Sequence, residues 1–536
     1  MNADQVHRSG RARVLAILAM CACPLGVAAQ ARPRPSPRLT TVQVAKGERV
    51  ETALLGRIDT DMLPDLVVAV SRPDRPFARS LRIHLRNAGT PAFRQEPDHV
   101  LEVPPDVTAF AIGDVHGDLG NEVVLFHDGG AFAWRPRAAE SERLVNVLRA
   151  EFLWQSPDPE SVFVLGNALV DLDRDGLVDL LLPTDGGYRL AWQSRDASGH
   201  ATFERSVELV VPADQEPRSE DAFLRRSGKG TRPIQEKLDA VFGSASALDG
   251  PFRARRWLVD VTQSVPAPQV IDIDGDGRLD IVAQTERRLH VWLCTERGFG
   301  QDPQRTLRLP VPADFRPKRD LAWHSLAFSP GAGRAAQLLV MRSDPQEPNA
   351  KAIMLVYALA TAVSELAAPL QTIAIDGLPG TPRIADIDSD GRADLFVPVL
   401  RPDLLASSGV LGNGVAKAEL LVFRGETDGR FTAMPSLRHA LTLPNDSFTW
   451  MQRDVEARLL GDLDGDGRCD LLVRSQPELF VVLGMASSDF GYALAKQPLC
   501  ELRVPKGAAV RLQGNGGRVP ELLLLEGSAV THVSFP

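Results

Sequence analysis

The stretch Asp462–Val473 reads DLDGDGRCDLLV, which is three aspartates at alternate positions, a glycine, a fourth aspartate and an apolar run. The nine-residue pattern at its start occurs in full four times, and each copy leads into an apolar stretch. The copies are DLDRDGLVD at Asp171–Asp179, DIDGDGRLD at Asp272–Asp280, DIDSDGRAD at Asp386–Asp394 and DLDGDGRCD at Asp462–Asp470. Carboxylates this close together repel one another unless a cation lies between them. The recurrence and spacing of the pattern therefore bear on both the fold and the candidate function.

Degraded copies of the pattern continue the same series along the chain. They are RIDTDMLPD from Arg57, DVHGDLGNE from Asp114, SPGAGRAAQ from Ser329 and QGNGGRVPE from Gln513. The eight copies start at 57, 114, 171, 272, 329, 386, 462 and 513, so that four of the intervals are 57 residues long. A period of this size predicts a propeller or a solenoid.

Strand signals within one interval favour the propeller. After Asp65 come the runs DLVVAV, SLRIHLR, HVLEV and TAFAIGD, and after Asp280 come DIVAQ, LHVWLC and RTLRLPV. Short apolar or alternating runs between turn residues are typical of β-strands. Four such strands in each repeat indicate a propeller blade.

The two ends of the chain predict how the ring closes. TTVQVA at Thr40–Ala45 resembles the fourth strand of a blade, whereas ELLLLE and AVTHVSF near the C-terminus resemble second and third strands. The sequence therefore predicts an all-β propeller of eight four-stranded blades, in which the N-terminal strand completes the last blade and covers its edge. Seven blades is the alternative.

The first 31 residues have the pattern of a secretory signal peptide. Three arginines precede the apolar run Val14–Ala29, and small residues follow it. We expect cleavage after Ala31, which leaves a single propeller domain over 32–536 that is secreted, periplasmic or at the cell surface. Lipoprotein anchoring through Cys21 or Cys23 is the alternative. No later segment has the length of a transmembrane helix.

The composition limits the classes of partner. The 536-residue chain has a formal net charge of -9, and removal of residues 1–31 changes it to -11. We therefore expect no nucleic acid partner, because no overall basic field would attract phosphates. Only Cys294, Cys469 and Cys500 follow the signal sequence, too few for a disulfide framework. A monomer with an extracellular or periplasmic protein or polysaccharide partner is the expectation.

Two intervals exceed the period and predict insertions at about 213–256 and 404–419. The first carries nine Lys/Arg against five Asp/Glu between Arg218 and Arg256, and Ile234–Phe242 has the apolar spacing of a short helix. It is either a solvated excursion on the rim or a contact surface for an anionic partner.

The residues of the intact pattern suit a hard cation. Three alternate carboxylates can converge on one ion, and the glycine at position six permits a positive φ that turns the chain around it. A carbonyl at position seven and the aspartate at position nine would complete an oxygen cage that suits Ca²⁺. An EF-hand needs a glutamate at position twelve, but Leu182, Ala283, Val397 and Val473 occupy that position.

The pattern resembles the loops of the FG-GAP/VCBS repeat family, which includes the integrin α-subunit propellers and many bacterial surface proteins. The resemblance covers nearly the whole chain after residue 31. It implies that each intact loop joins the first and second strands of a blade and binds Ca²⁺ through positions one, three, five, seven and nine, with position seven contributing its carbonyl. The implied ligands are Asp171, Asp173, Asp175, Leu177 and Asp179; Asp272, Asp274, Asp276, Arg278 and Asp280; Asp386, Asp388, Asp390, Arg392 and Asp394; and Asp462, Asp464, Asp466, Arg468 and Asp470.

The degraded copies depart from the family pattern, so we expect about four ions. Arg57 replaces the first aspartate of the first copy, where its guanidinium can take the place of a cation. His116 and Glu122 put the second site in doubt, and the fifth and eighth copies lack the carboxylates.

The function that this resemblance implies is a binding or adhesion module in which Ca²⁺ supports the blades. No nucleophile elbow, HExxH helix, phosphate loop or CxxC occurs, so no catalytic residue is predicted. The alternative is a polysaccharide lyase, since a rhamnogalacturonan-lyase family is similar to an eight-bladed calcium propeller. Such a lyase needs a basic, aromatic cleft, whereas this chain has three tyrosines and its basic cluster lies in one insertion.

Overall fold

A computed structural model describes most of residues 36–535. The residues that it does not describe are 1–35, 62, 90, 118–119, 151–157, 167, 185, 198, 213–265, 286, 311–321, 344–350, 360–363, 401–414, 445–456, 476–477, 488–490, 506–507, 514–518 and 536. The predicted signal peptide, the first insertion and the short helix Ile234–Phe242 therefore lie outside the described residues. Of the second insertion, 404–414 lies outside them and 415–419 belongs to a strand.

The described strands form eight small sheets that are arranged as an eight-bladed propeller with four strands in each blade. Blade 1 contains β2 Arg49–Gly56, β3 Asp65–Ser71, β4 Arg79–His84 and β5 His99–Glu102. Blade 2 contains β6 Val107–Gly113, β7 Glu122–His127, β8 Gly130–Trp134 and β9 Leu144–Arg149. Blade 3 contains β11 Leu169–Val170, β12 Asp179–Thr184, β13 Gly187–Arg195 and β14 Ala201–Val210. A short strand, β10 Phe163–Val164, pairs in parallel with β6 of blade 2.

Blades 4 to 8 repeat the same order of strands. Blade 4 contains β15 Gln269–Ile271, β16 Asp280–Gln284, β17 Arg288–Trp292 and β18 Arg305–Arg308, and blade 5 contains β19 Ala322–Phe328, β20 Gln337–Ser343, β21 Lys351–Ala358 and β22 Gln371–Asp376. Blade 6 contains β23 Leu378–Pro379 and β24 Arg383–Ala385 with β25 Asp394–Leu400, β26 Val415–Phe423 and β27 Leu437–Pro444. Blade 7 contains β28 Ala457–Gly461, β29 Asp470–Ser475, β30 Glu478–Val482 and β33 Cys500–Arg503, and blade 8 contains β34 Ala509–Gln513, β35 Glu521–Glu526, β36 Ala529–Ser534 and β1 Arg38–Gln43. A two-stranded hairpin of β31 Gly484–Met485 and β32 Ala493–Leu494 follows β30, and a 3₁₀ turn spans Glu140–Glu142.

The burial patterns of the strands reflect their place in a blade. The second strand β3 is buried along its whole length because other blades cover both faces of the sheet. The outer strand β22 alternates between exposed and buried residues, with Ile373 and Ile375 pointing inward. The strands that were predicted from fully apolar runs and from alternating runs are therefore confirmed.

The hydrophobic core is divided among the junctions between blades. Eight clusters of buried side chains occur in the described residues, and each joins two neighbouring blades. The cluster between blades 8 and 1, for example, brings Leu523 and Val530 against Leu66 and Val68. Eight junctions complete a ring of eight blades, so the prediction of eight blades is confirmed over the alternative of seven.

The N-terminal strand closes the ring as predicted. β1 pairs antiparallel with β36, in a register that runs from Arg38 opposite Ser534 to Gln43 opposite Ala529. Val42 of β1 is buried in the junction between blades 8 and 1. The edge of the last blade is thereby covered by the other end of the chain. Within the described ranges, no helix is long and apolar enough to cross a membrane.

Candidate metal sites

The eight copies of the aspartate pattern connect the first and second strands of the eight blades, and we call them loops 1 to 8. Loops 3, 4, 6 and 7, which span 171–179, 272–280, 386–394 and 462–470, are the intact copies. Each blade has the same order of strands, so these connections lie on the same side of the ring.

The carboxylates at positions one, three and five shape each intact loop by accepting backbone hydrogen bonds. In loop 3 the N–H of Asp175 donates to Asp173 Oδ1 at 3.3 Å, that of Gly176 to Asp171 Oδ2 at 3.1 Å, and that of Leu177 to Asp175 Oδ1 at 2.8 Å. The same three bonds recur in loops 4, 6 and 7. The four loops therefore share one backbone conformation.

Two residues of each intact loop adopt a left-handed backbone. The glycines at position six have φ between +81° and +89°, as the sequence predicts. Position four is also left-handed, which the sequence analysis missed: φ is +61° at Arg174, +83° at Gly275, +58° at Ser389 and +76° at Gly465. The glycines at this position in loops 4 and 7 were the signal that could have revealed it.

The aspartate at position nine ties the loop to the third strand of its own blade. In loop 4 the N–H of Ile273 donates to Asp280 Oδ2, and that of Cys294, just beyond β17, donates to Asp280 Oδ1, both at 2.7 Å. The same pair of bonds is made by Asp179, Asp394 and Asp470. All four side chains are buried. This second, structural role of position nine was not predicted.

The loops bring the predicted carboxylate ligands together in groups of three, in which one oxygen from each lies within 4.8 Å of the others. In loops 3, 6 and 7 the grouped residues occupy positions one, three and nine, and in loop 4 they occupy positions one, three and five. The groups are Asp171, Asp173 and Asp179; Asp272, Asp274 and Asp276; Asp386, Asp388 and Asp394; and Asp462, Asp464 and Asp470. These acidic clusters could bind metal ions.

Electrostatics in the clusters favour a bound cation. Burial raises the pKa of Asp179, Asp280 and Asp394 to about 6 and that of Asp470 to about 7. Burial also raises the pKa of Asp173, and the charge of the neighbouring carboxylate at position five adds to the effect. Carboxylates whose ionised form is disfavoured in this way are stabilised by a cation between them.

One oxygen in loop 3 provides a direct test of the fit to a cation. Asp171 Oδ1 is buried and accepts no hydrogen bond from the described residues. A buried carboxylate oxygen without a donor is costly in free energy. Because Asp171 belongs to the group with Asp173 and Asp179, a hard cation held by the three carboxylates would satisfy this oxygen. The residues of the loop therefore fit a metal ion.

At positions five and seven of three intact loops, side chains of opposite charge lie close together. In loops 4, 6 and 7 the arginine at position seven pairs its guanidinium with the aspartate at position five of the same loop. In loop 6 Arg424 also approaches, with Nη2 2.9 Å from Asp390 Oδ2 and 3.5 Å from Asp388 Oδ2. Arginine side chains thus neutralise part of the negative charge, while the predicted contribution of position seven is its carbonyl.

The degraded loops replace the acidic cluster with other contacts. In loop 2 Arg195 extends from β13 of blade 3, and its Nη2 lies 3.5 Å from Asp114 Oδ2. A Cβ on Gly117 would lie 2.1 Å from Arg195 Nη1 and would displace the guanidinium, and the φ of +88° at this residue also favours glycine. In loop 1 Asp65 accepts the N–H of Ile58 at 2.7 Å and that of Arg86, just beyond the third strand β4, at 2.9 Å. Loop 1 thereby keeps the position-nine clamp, and the predicted role of its arginine at position one stays a prediction.

Outside the loops, the described residues contain one further cluster of three side chains that could hold a metal ion. Asp106, His127 and Asp128 have potential ligand atoms within 4.8 Å of one another. His127 Nδ1 lies 3.6 Å from each carboxylate and accepts a hydrogen bond from the N–H of Gly129. The group is explained by these local contacts.

The tryptophans whose side chains the structure describes lie in the core. Trp134, Trp192 and Trp292 are buried, and Arg205 stacks over Trp192 at 4.1 Å from the ring centroid. These three rings therefore fill the space within and between blades, as tryptophans commonly do, and do not form an open platform for sugars.

Comparisons with known proteins add a distant likeness of fold. No family model and no curated protein matches the sequence. Among solved structures, a lectin from Agrocybe aegerita that recognises non-reducing terminal N-acetylglucosamine is 14% identical, with 92% of this chain and 98% of that chain covered and a TM-score of 0.38. A Tc holotoxin pore from Photorhabdus luminescens is 16% identical, with 85% of this chain and 20% of that chain covered and a TM-score of 0.29. Likenesses this distant carry no functional argument, and a propeller is compatible with a binding module on its own geometry.

Proposed function

We propose that this protein is an exported calcium-binding propeller of the FG-GAP/VCBS type that binds a protein or a glycan, with structural Ca²⁺ in its four intact loops. The observation that carries the metal assignment is the buried oxygen Asp171 Oδ1, which accepts no hydrogen bond from the part of the chain that the structure describes and whose residue belongs to a group of three carboxylates. The other intact loops repeat the hydrogen bonds of loop 3, so the same assignment extends to them.

The donor set favours Ca²⁺ over Mg²⁺. Each loop offers several carboxylates and a backbone carbonyl within a single turn of chain, which suits the six to eight oxygen ligands and flexible geometry of Ca²⁺. Mg²⁺ demands near-ideal octahedral geometry and usually keeps several waters. In the proposed sites, Asp173 and Asp464 would supply exposed ligands, Asp388 a largely buried one, and the position-nine aspartates buried ones.

A structural role for the metal ion follows from the parts of the blade that each loop connects. Asp179, a member of the loop 3 group, connects its loop to Gln193 of the third strand, so a metal at this aspartate would secure two connections of one blade. The aspartates at positions one, three and five also determine the turn through their hydrogen bonds. A metal ion would offset the repulsion among these groups and thereby stabilise the blade.

The test is thermal unfolding of the chain without residues 1–31, in metal-free buffer, in Ca²⁺ and in Mg²⁺, together with elemental analysis of bound metal. We expect about four calcium ions per chain and a rise in Tm that Ca²⁺ produces and Mg²⁺ does not. Absence of bound metal together with an unchanged Tm would refute the calcium assignment.

The binding role is tested separately with an array of defined polysaccharides, probed in Ca²⁺ and after chelation. Retention on one class of polysaccharide in Ca²⁺ is the expected result. Release of unsaturated sugar ends from a pectic substrate would instead identify the protein as a lyase.

A further inference from the structure

One peptide group links the loops of neighbouring blades. Among the described residues, the N–H at position eight of a loop donates to the backbone of the loop in the preceding blade in four cases. These bonds run from Asn121 to Arg57 O at 3.2 Å, from Ala336 to Ile273 O at 3.0 Å, from Ala393 to Pro330 O at 3.3 Å, and from Cys469 to Ile387 O at 2.9 Å. In a fifth case the link passes through a side chain, because Gln193 accepts from the N–H of Val178 at 2.7 Å and donates to Asp114 O at 3.1 Å.

The same peptide group has a second role in an intact loop. The N–H of position eight and the carbonyl of position seven belong to one planar amide. The carbonyl side is the predicted metal ligand, and the N–H side holds the neighbouring blade. An ion at this carbonyl would withdraw electron density from the amide, which makes its N–H a stronger donor.

Loops 6 and 7 are both intact and joined in this way. Besides its N–H, Cys469 directs its thiol to Asp386 O at 3.3 Å, so loop 7 contacts positions one and two of loop 6. The Arg468 side chain donates to Gly491 O at 3.1 Å, and the α-carbon of Gly491 faces loop 6 so closely that a Cβ there would lie 3.4 Å from Asp388 Oδ2. Residues around the predicted ligand Arg468 thus lie beside Asp386 and Asp388 of the other loop.

We propose that loops 6 and 7 form a coupled pair in which Ca²⁺ binding at one raises the affinity of the other through the amide between Arg468 and Cys469. This inference rests on the proposed function, since it requires that both loops bind Ca²⁺. An ion in loop 7 fixes the amide and strengthens its bond to Ile387 O, which orders the turn that carries the ligands of loop 6. Energetic coupling is reciprocal, so an ion in loop 6 has the same effect on loop 7.

The chain itself contains the substitution that breaks the link. Position eight is Pro64 in loop 1 and Pro520 in loop 8, and proline has no N–H to donate. The loop backbone therefore accepts proline at this position. Cys469→Pro removes the donor from loop 7, whereas Cys469→Ala keeps the donor and removes the thiol.

The experiment is calorimetric titration of Ca²⁺ into a chain in which loops 3 and 4 are disabled by Asp171→Ala and Asp272→Ala. We expect this background and its Cys469→Ala derivative to bind two ions with a Hill coefficient above 1. The Cys469→Pro derivative should bind two ions with a Hill coefficient of 1. If Cys469→Pro binds as cooperatively as Cys469→Ala, the amide is not the route and the proposal is overturned.

A second variant tests the coupling between loops 6 and 7 even if Cys469→Pro does not fold. Asp462→Ala in the same background leaves loop 6 as the remaining intact site. Its Ca²⁺ affinity should be at least about fivefold below the affinity for the second ion in the background chain. Two ions that bind independently in the background would refute the coupling and leave the calcium assignment intact. No binding by the unmodified chain would refute the calcium assignment itself.

Discussion

Arg86 of blade 1 and Glu521 of blade 8 form a two-bonded ion pair across the closure of the ring. Arg86 Nη1 lies 2.7 Å from Glu521 Oε1 and 2.9 Å from Oε2, and His532 Nε2 lies 3.1 Å from Oε2. Burial by itself would raise the pKa of Glu521, but His532 and Arg86 together hold it below its usual value. Glu521 occupies position nine of loop 8. In the intact loops the residue at this position connects two parts of one blade, whereas in loop 8 it joins two blades.

Removal of this charge should weaken the closure. We expect Glu521→Gln to lower the free energy of unfolding by about 3 kcal/mol, because it leaves the largely buried guanidinium of Arg86 without its anion. Chemical denaturation measures the change. Glu501→Gln, at an exposed position of β33, is the matched control and should have almost no effect. Equal stabilities of the two variants would show that the ion pair contributes nothing to closure.

The N-terminal strand should tolerate charge on one face only. Val42 is 2% exposed and Leu39 is 52% exposed, although both lie in β1. We expect Val42→Asp to lower the free energy of unfolding by about 3–5 kcal/mol, since it buries a charge with no partner, whereas Leu39→Asp should be close to neutral. Size-exclusion chromatography should also reveal self-association of the Val42→Asp chain, because a loosened β1 uncovers the edge of β36. Similar stabilities for both variants would contradict the observed pairing.

The number of bound ions should depend on which loop is altered. Asp173→Ala removes position three of an intact loop, and we expect elemental analysis to find one calcium ion fewer per chain. Asp59→Ala removes the same position from loop 1, whose first position is arginine, and the count should stay the same. A loss of one ion in the Asp59→Ala chain would mean that loop 1 also binds metal.

The thiols should react slowly in the folded protein. All three described cysteines are free, and burial raises the pKa of Cys500 to about 11 and that of Cys469 to about 12. The thiolate is the reactive form, so at pH 8 alkylation of Cys500 should be at least about a hundredfold slower than in the unfolded chain, where the pKa is about 8.5. Between pH 8 and pH 10 the rate in the folded protein should rise about tenfold per pH unit. Site-resolved mass spectrometry after iodoacetamide treatment measures both rates, and equal rates in folded and unfolded protein would contradict the burial.

The features that the sequence predicted are those encoded locally. Each loop and each strand can be predicted from its own short segment, through the glycine at position six, the alternate aspartates and the apolar run that follows them. The repetition of these segments predicted the number of blades and the closure by β1. The bridge made by Gln193 and the insertion of Arg195 into loop 2 depend on how two blades pack. No pattern within one segment contains such information. The partners of the position-nine aspartates, 14 residues or more along the chain, became apparent in the same way only from the fold.

The pairing of β1 with β36 has a consequence for the order in which the protein acquires its structure. Thr41 and Thr531 share a side-chain hydrogen bond across this pair although they are 490 residues apart. A nascent chain presents β1 first and β36 last, and contacts of such large sequence separation form slowly. β1 therefore stays without its strand partner until β36 has been synthesised. A chain truncated anywhere before β36 keeps its N-terminal strand without a partner.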